Sequence, residues 1–194
     1  MLLAAQLRLA LCLLILLVAW STPPAASASA ANDPAGLHIN HVKLASLDSM
    51  VRQADLIVYT ELRDDSKPYP TGHSIGSGKL YHYTQTALVK RTVKGSIAST
   101  SFKLVVDGVE PLPKPSDPLN DTYTGPFTEG LYVLFLQQTA ERGTYTLVGG
   151  GWQAVYPVVD NRIIALQQGG FPELNGLSVQ ELAAKLRPSA ASSR

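Results

Sequence analysis

The chain has 194 residues, and its 16 lysines and arginines nearly balance its 15 aspartates and glutamates. A formal net charge of +1 gives no basic field to attract phosphates, so nucleic acid and anionic membrane surfaces are not expected as partners. The single cysteine excludes an intrachain disulfide, and the length fits one domain with one hydrophobic core.

Residues 1–30 have the layout of a secretory signal peptide. A basic residue precedes an apolar run over 9–20, a proline pair ends the run, and small-residue cleavage sites end at Ala28 and Ala30. The run is shorter than the roughly 20 apolar residues that span a bilayer, so a stable membrane anchor is the less favoured alternative. We therefore expect cleavage after Ala28 or Ala30 and a secreted or cell-envelope location.

Cys12 lies within the apolar run, so the mature chain is expected to contain no cysteine and to be formally neutral. An acylated Cys12 would make the protein a lipoprotein. This alternative is disfavoured because Leu11 is larger than the residue that usually precedes such a cysteine. The stability of the mature chain must then come from burial alone.

Residues 31–45 are predicted to form a flexible N-terminal segment. His38 and His41 form a His-x-x-His pair, which a helix would bring to one face, as a metal site requires. Pro34 and Gly36 disfavour a helix, and no acidic partner lies nearby in the sequence. We expect a solvated polar tail here.

A short helix and a strand come next. Ser46 has the position of an N-cap, and apolar residues follow it at helical spacing, namely Leu47, Met50, Val51 and Ala54. Over residues 55–62 the period changes, and β-branched and aromatic residues predict a strand. Residues 63–78 contain two prolines and three glycines and are predicted to be a polar loop.

This loop contains Gly72-His73-Ser74-Ile75-Gly76, which matches the Gly-x-Ser-x-Gly pattern of hydrolase nucleophiles. That pattern presents its serine on a sharp turn between a buried strand and a helix. Neither element is predicted around Ser74. Glycines in a flexible loop explain the match better than a catalytic serine does.

Residues 79–93 alternate between an apolar and a polar face, which predicts a long strand with one buried side. The apolar face carries Tyr81, Tyr83, Ala87, Val89 and Val93, and the other carries His82, Thr84, Thr86 and Lys90. Further strands are predicted over 102–106, 131–136, 144–148, 152–159 and 163–167. Residues 107–129 contain five prolines and are predicted to be a loop, either functional or disordered.

Two groups of side chains are ligand candidates with simpler explanations. Asp117, Asn120 and Asp121 offer oxygen ligands for calcium but miss the usual register of a calcium loop, so a plain turn is expected. The strand aromatics are Tyr81, Tyr83, Tyr132, Tyr145, Tyr156 and Trp152. We expect them to pack in the core rather than form a glycan or peptide surface.

The C-terminal region has the clearest helix signal. Ser178 and Glu181 fit a capping box, and an apolar face follows them. Asp160 and Asn161 predict a hairpin turn, and residues 188–194 are expected to be a disordered tail.

Together these elements predict a mainly β domain over residues 46–187. It has about seven strands, a short helix before the first strand and a helix at the C-terminus. Strands that close on themselves remove their exposed edges, so we expect a small closed or partly open antiparallel barrel of the OB type. A two-sheet sandwich is the alternative.

Three short segments of the chain resemble those of other secreted proteins. In chain order they are Ala-Asp-Leu-Ile-Val at 54–58, Val-Lys-Gly at 93–95 and Gly-Leu-Tyr-Val-Leu-Phe-Leu at 130–136. The pattern is similar to secreted bacterial proteins of unknown function. The same layout resembles the OB-type barrel of netrin-like domains, including metalloproteinase inhibitors, whose N-terminal cysteine binds the protease metal. The mature chain is expected to have no cysteine. The resemblance therefore implies the fold but not inhibition of metalloproteinases through such a cysteine.

The sequence therefore predicts a secreted or cell-surface binding domain that is not an enzyme, with a protein, peptide or glycan as ligand. No catalytic, metal-binding or cofactor-binding residue is assigned, and no cofactor is expected. Two alternatives remain. One is a secreted serine hydrolase that uses Ser74. The other is a netrin-like protease inhibitor that presents residues 31–45 or 107–129.

Overall fold

The computed structural model describes residues 37–167 and 169–187. The predicted signal peptide, its cleavage site, Cys12 and the C-terminal tail lie outside these residues. Within the described ranges, no helix has the length and apolar character needed to cross a membrane.

The described residues form a mainly β structure with eight strands and three short helices. The strands are β1 Leu56–Leu62, β2 Lys67–Ile75, β3 Gly78–Lys94, β4 Ser101–Glu110, β5 Gly130–Gln138, β6 Thr144–Leu147, β7 Val155–Val159 and β8 Arg162–Ile163. The helices are α1 Leu47–Gln53, α2 Leu119–Thr122 and α3 Val179–Lys185. Single 3-10 turns lie at Val148–Gly150, Trp152–Ala154 and Pro172–Leu174.

The strand pairings run in a ring. β1 pairs with β3, β3 with β4, β4 with β6, β6 with β5, and β5 again with β1. All of these pairs are antiparallel except β4 with β6, which is parallel. Outside the ring, β2 extends β3 as a hairpin, and β7 and β8 continue from β5.

The predicted faces of β3 explain where the core lies. Tyr83 pairs with Val106 of β4, and both belong to the main hydrophobic cluster. The neighbouring pair, His82 and Asp107, points to the opposite face because side chains alternate along a strand. β5 is buried on both faces over 132–136, as its apolar run predicts.

Both terminal helices are confirmed. The hydroxyl of Ser46 accepts a hydrogen bond from the amide of Ser49, which makes it the N-cap of α1. Ser178 and Glu181 form the predicted capping box of α3. Asp160 and Asn161 both have positive φ and form the predicted hairpin turn.

Four predicted boundaries are wrong. The strand predicted over 163–167 is only the two-residue β8 at Arg162–Ile163. Residues 63–78 contain β2, because this strand pairs with β3 alone and an edge strand tolerates Pro68 and Pro70. β4 continues to Glu110, so Asp107 lies in a strand and not in the proline-rich loop. The segment after the three glycines begins with 3-10 turns, and its strand starts only at Val155.

Candidate functional site

The candidate site begins with a charged pair on the outward face of β3 and β4. His82 and Asp107 are directly paired across the two strands, and each is only 2% exposed. Antiparallel partners place their side chains on the same side of the sheet. An imidazole and a carboxylate are thus buried side by side on a face that the sequence pattern predicts to be polar and exposed.

The hydrogen bonds of His82 suit a protonated ring. Nδ1 contacts the carboxylate of Asp107, and Nε2 lies 2.7 Å from the carbonyl oxygen of Leu37. The carbonyl and an ionised carboxylate are both acceptors, and both ring nitrogens of an imidazolium donate. In these protonation states His82 and Asp107 form a buried ion pair, which also binds the backbone of the N-terminal segment.

His41 approaches the same carboxylate from this segment. Its Nε2 donates to Oδ2 of Asp107 at 2.8 Å. Its Nδ1 is buried and has no hydrogen-bond partner among the described residues. Nδ1 lies so close to Gly150 that a Cβ on this glycine would be 2.9 Å away. The ring of Tyr123 packs edge-on against the imidazole, with centroids 4.7 Å apart.

Burial and hydrogen bonding act on Asp107 in opposite directions. Burial favours the protonated acid, but the hydrogen bonds and charges of His41 and His82 outweigh it and hold the pKa of Asp107 below its usual value. For Tyr123, burial first and the negative charge of Asp107 second raise the pKa of the phenol. Asp107 is thus an anion at neutral pH.

The cluster anchors residues 37–44, here called the anchor segment. The amide of Val42 donates to the carbonyl of Gly149 at 3.1 Å. The side-chain amide of Gln153 accepts from the Leu44 N–H at 2.7 Å and donates to the Leu44 carbonyl at 3.1 Å. Ile39 and Leu44 are each 6% exposed. The predicted flexibility of residues 31–45 stays a prediction, but their described part makes these specific contacts.

One side of the anchor segment borders a hollow of about 620 Å³, here called the histidine hollow. Its wall includes His38, Asn40, His41, Thr71, His73, His82, Asp107 and Tyr123. The sequence contains four histidines, and all four line this hollow. They come from the anchor segment, the β2 hairpin strand and β3, so the fold brings together residues that are up to 44 positions apart.

The other side borders two adjoining hollows of about 580 and 340 Å³, together called the tryptophan hollow. Both are lined by Asp121, Trp152 and Gly169. The first also includes His41, Lys43, Thr122, Gly149, Gly151 and Gln153, and the second includes Asn120 and Leu166. His41 is therefore common to the histidine hollow and the tryptophan hollow.

Ser74 does not join the cluster. It lies in β2, whose tight hairpin leads directly into β3, so the strand-to-helix turn of a hydrolase nucleophile is not formed. Its hydroxyl makes no hydrogen bond to any residue that the structure describes. His73, its neighbour, lines the histidine hollow.

Two of the three calcium candidates stabilise local structure, at and before the short helix α2 rather than in a plain turn. The carboxylate of Asp117 accepts from the Leu119 amide at 3.0 Å, and the side chain of Asn120 donates to the Lys114 carbonyl at 2.6 Å. Across residues 37–167 and 169–187, no group of three or more His, Cys, Asp or Glu side chains could hold a metal ion.

Core packing of the strand aromatics is largely confirmed. Tyr83, Tyr132, Tyr145 and Tyr156 are buried, and Tyr81 and Trp152 are partly buried against the core. Trp152 alone among them also lines the tryptophan hollow.

Sequence reasoning missed Asp107 and assigned His41 to a solvated tail, which is wrong. Their separation of 66 residues hides the contact, and the prolines that follow Asp107 suggested a loop. The only sequence signal was weak: His82 lies between two tyrosines that pack on the core, at a position of β3 that the alternation assigns to the polar face. Comparison with known proteins adds no relative, because no family model, curated protein or solved structure matches the chain.

Proposed function

We propose that this protein is an exported binding domain, not an enzyme, whose protein, peptide or glycan ligand contacts the face formed by β3, β4 and the anchor segment. The observation that carries the proposal is the convergence of all four histidines on one hollow beside a buried ion pair. The buried pair contacts the anchor segment twice, through His41 on Asp107 and through the Leu37 carbonyl on His82. Export rests on the layout of residues 1–30.

The strand order supports this choice of face. Numbered along the chain, the five ring strands follow the order 1-2-3-5-4 and then return to 1, with a parallel contact between the third and fifth. We propose that this ring is a small OB-like barrel. OB barrels bind oligonucleotides and oligosaccharides on their second and third strands and the adjoining loops. Those strands are β3 and β4 here, and β2 is an insertion in the first loop.

The histidine geometry favours binding over catalysis. A general base must offer a free nitrogen to the substrate. Both nitrogens of His82 face protein acceptors, while His41 uses Nε2 on Asp107 and buries Nδ1 against Gly150. Neither ring presents a free nitrogen to the occupant of the hollow. The polar side chains of the wall that make no hydrogen bond with described residues, and so can contact a ligand, are those of His38, Asn40, His73 and Tyr123.

Nuclear magnetic resonance of the 15N-labelled protein tests the proposal. An extracytoplasmic extract of the producing cells, separated into protein, peptide and saccharide fractions, is added to the labelled protein. We expect at least one fraction to shift the amide signals of the anchor segment and of β3. His73→Ala should weaken these shifts. Ser74→Ala, the adjacent residue of the same hairpin, should leave them unchanged.

Two results would overturn the proposal. One is the absence of any shift with all three fractions. The other is hydrolysis of p-nitrophenyl acetate by the purified protein that Ser74→Ala abolishes, which would support the hydrolase. Export is tested separately by mass spectrometry, which should find the N-terminal peptide beginning after Ala28 or Ala30 in the extracytoplasmic fraction.

One observation favours a second candidate function. Leu112 is 87% exposed and stands between Pro111 and Pro113 in the loop that follows β4. An apolar side chain on a proline-stiffened loop is a suitable probe for the pocket of a secreted protease, as the inhibitor alternative requires. Titration against secreted proteases tests this function. The absence of inhibition at micromolar concentrations would refute it.

A further inference from the structure

We infer that the tryptophan hollow is a saccharide site, in which a sugar ring stacks on Trp152 and its hydroxyl groups contact Asp121 and Lys43. The inference goes beyond the proposed function, because the tryptophan hollow lies on the other side of the anchor segment from the histidine hollow and gives the chain a second binding site. Volumes of about 580 and 340 Å³ lie in the range of small-ligand pockets.

Trp152 is held in place before any ligand arrives. Its Nε1 donates to the carbonyl of Asn120 at 2.8 Å. Phe127 packs against it edge to face, with centroids 5.9 Å apart and planes at 81°. A Cβ on Gly169 would lie 2.6 Å from the Cβ of Trp152, so the backbone there closes tightly on the side chain. A fixed aromatic ring loses little conformational entropy when a ligand stacks on it.

Two charged side chains in the hollow are unpaired. Asp121 and Lys43 both line it and are exposed. Neither makes a hydrogen bond or an ion pair with the residues that the structure describes. A carboxylate accepts from two adjacent hydroxyl groups, and an ammonium group donates to hydroxyl or ring oxygens. Their charges cancel, which suits an uncharged ligand with many hydroxyl groups.

The rest of the wall leaves room for close approach. Gly149, Gly151 and Gly169 contribute no side chains, and the amide of Gln153 is already occupied by Leu44. The apolar C–H face of a pyranose fits an aromatic ring, while its edge carries hydroxyl groups. The wall offers the same combination of an aromatic ring and polar side chains.

Two other ligand classes fit less well. Nucleic acid needs positive charge, and here one lysine faces one aspartate. A zwitterionic amino acid or peptide with no ring would satisfy Lys43 and Asp121 but would leave the ring of Trp152 without a stacking partner. Glycylglycine is therefore titrated as a zwitterionic probe, so that this ligand class is detected if it binds.

Intrinsic fluorescence gives a direct readout. The sequence has two tryptophans, Trp20 and Trp152, and Trp20 belongs to the segment expected to be removed on export. The emission of the exported protein then reports on Trp152. Maltotriose, cellotriose and chitotriose are titrated separately. We expect at least one of them to give a saturable change in emission with half-saturation at about 1 mM or below.

Substitutions assign the effect to the hollow. Asp121→Asn keeps the shape of the side chain and removes its charge, and it should weaken binding about tenfold or more, equivalent to about 1.4 kcal/mol. Asp64→Asn is the matched control, because Asp64 is exposed and makes no hydrogen bond or ion pair with described residues. It should bind like the parent protein. Thermal unfolding of both variants checks that they fold.

The outcomes separate this inference from the proposed function. The saccharide site is refuted if none of the three saccharides changes the fluorescence emission. It is also refuted if Asp121→Asn binds them as tightly as the parent protein does, or if only glycylglycine gives a response. If the extract fractions still shift the anchor-segment and β3 amides, the proposed binding domain stands and only the saccharide site in the tryptophan hollow is wrong. If neither the extract nor the saccharides act on the protein, both proposals fail.

Discussion

The ammonium group of Lys94 lies 2.6 Å from the carbonyl oxygen of Ala54, the residue at which helix α1 ends. It is also 2.6 Å from the carbonyl oxygen of Val51. The last carbonyls of a helix lack intrahelical partners and attract cations. The final residue of β3 therefore caps a helix more than 40 positions earlier and holds it at the start of β1.

Replacement of Lys94 by methionine should remove this cap while keeping most of the aliphatic stem. Because hydrogen bonds to a charged group contribute about 1.5–3 kcal/mol, the free energy of unfolding should fall by about that amount. Urea denaturation followed by circular dichroism measures the change. Lys79→Met on the same strand is the control, since Lys79 is exposed and unpaired among the described residues. Equal effects of the two substitutions would refute a capping role.

Gly95, the next residue, allows a second test. It has a φ of +83°, and a Cβ there would overlap the carbonyl oxygen of Asp55. Gly143 has a similar φ of +78°, but nothing lies within 4 Å of its Cβ position. Gly143→Ala should cost about 1–2 kcal/mol for its left-handed conformation alone. Gly95→Ala should cost about 1–3 kcal/mol more for the overlap. Urea midpoints of the two variants measure the difference.

Local signals in the sequence account for most elements of the fold. Ser46 and Ser178 cap their helices as predicted, because an N-cap depends on residues within one turn. The alternation along β3 assigns Tyr83 to the core correctly. β2 was missed because proline disfavours a strand in general, while its acceptability on an edge depends on which strand lies beside it. That neighbour is a property of the whole fold.

The candidate site was less predictable for the same reason. The anchor segment has no periodic pattern, and its structure depends on contacts with Asp107, Gly149 and Gln153, which are 66 or more residues away. His82 occupies a position that the strand pattern assigns to solvent. The anchor segment lies against it, and the Leu37 carbonyl contacts its Nε2. The sequence alone predicts which residues lie on the polar face of β3, but not that the anchor segment packs against them.

The ion pair in the site predicts a loss of stability in acid. The folded-state pKa of Asp107 is lowered, so the unfolded chain binds a proton first as the pH falls. The stabilisation is complete above the ordinary aspartate pKa near 4 and is lost as the pH falls through the lower folded value. His41→Ala removes one of the two hydrogen-bond donors. In this variant the folded pKa of Asp107 should lie closer to its unfolded value, so the acid loss of stability should be smaller and should be complete at a higher pH than in the parent protein.

Asp107→Asn should remove that acid limb and destabilise the protein at neutral pH. Because it breaks the buried pair with His82 and removes the carboxylate that both histidines contact, a cost of about 3–5 kcal/mol is expected. Urea unfolding between pH 2 and pH 7 measures both variants, with Asp64→Asn as the control. If His41→Ala unfolds with the parent's pH profile, the carboxylate does not depend on that imidazole. His41→Ala keeps the test informative if Asp107→Asn fails to fold.

Tyr156 predicts a loss of stability in alkali. Its side chain is fully buried, and burial raises the pKa of the phenol to about 12, with the charge of Glu173 acting in the same direction. The unfolded tyrosine loses its proton near pH 10, so stability should fall as the pH rises from about 10 to about 12. Tyr156→Phe should make this decline shallower, although Tyr83, whose pKa burial also raises, keeps part of it.

At neutral pH the variant leaves the amide of Phe171 without its acceptor, at a cost of about 1–3 kcal/mol. Urea unfolding at pH 7, 10 and 11 measures both effects, and Tyr69→Phe, whose hydroxyl makes no hydrogen bond to described residues, is the control. An alkaline slope that is identical in Tyr156→Phe and the parent would show that this phenol does not titrate with unfolding.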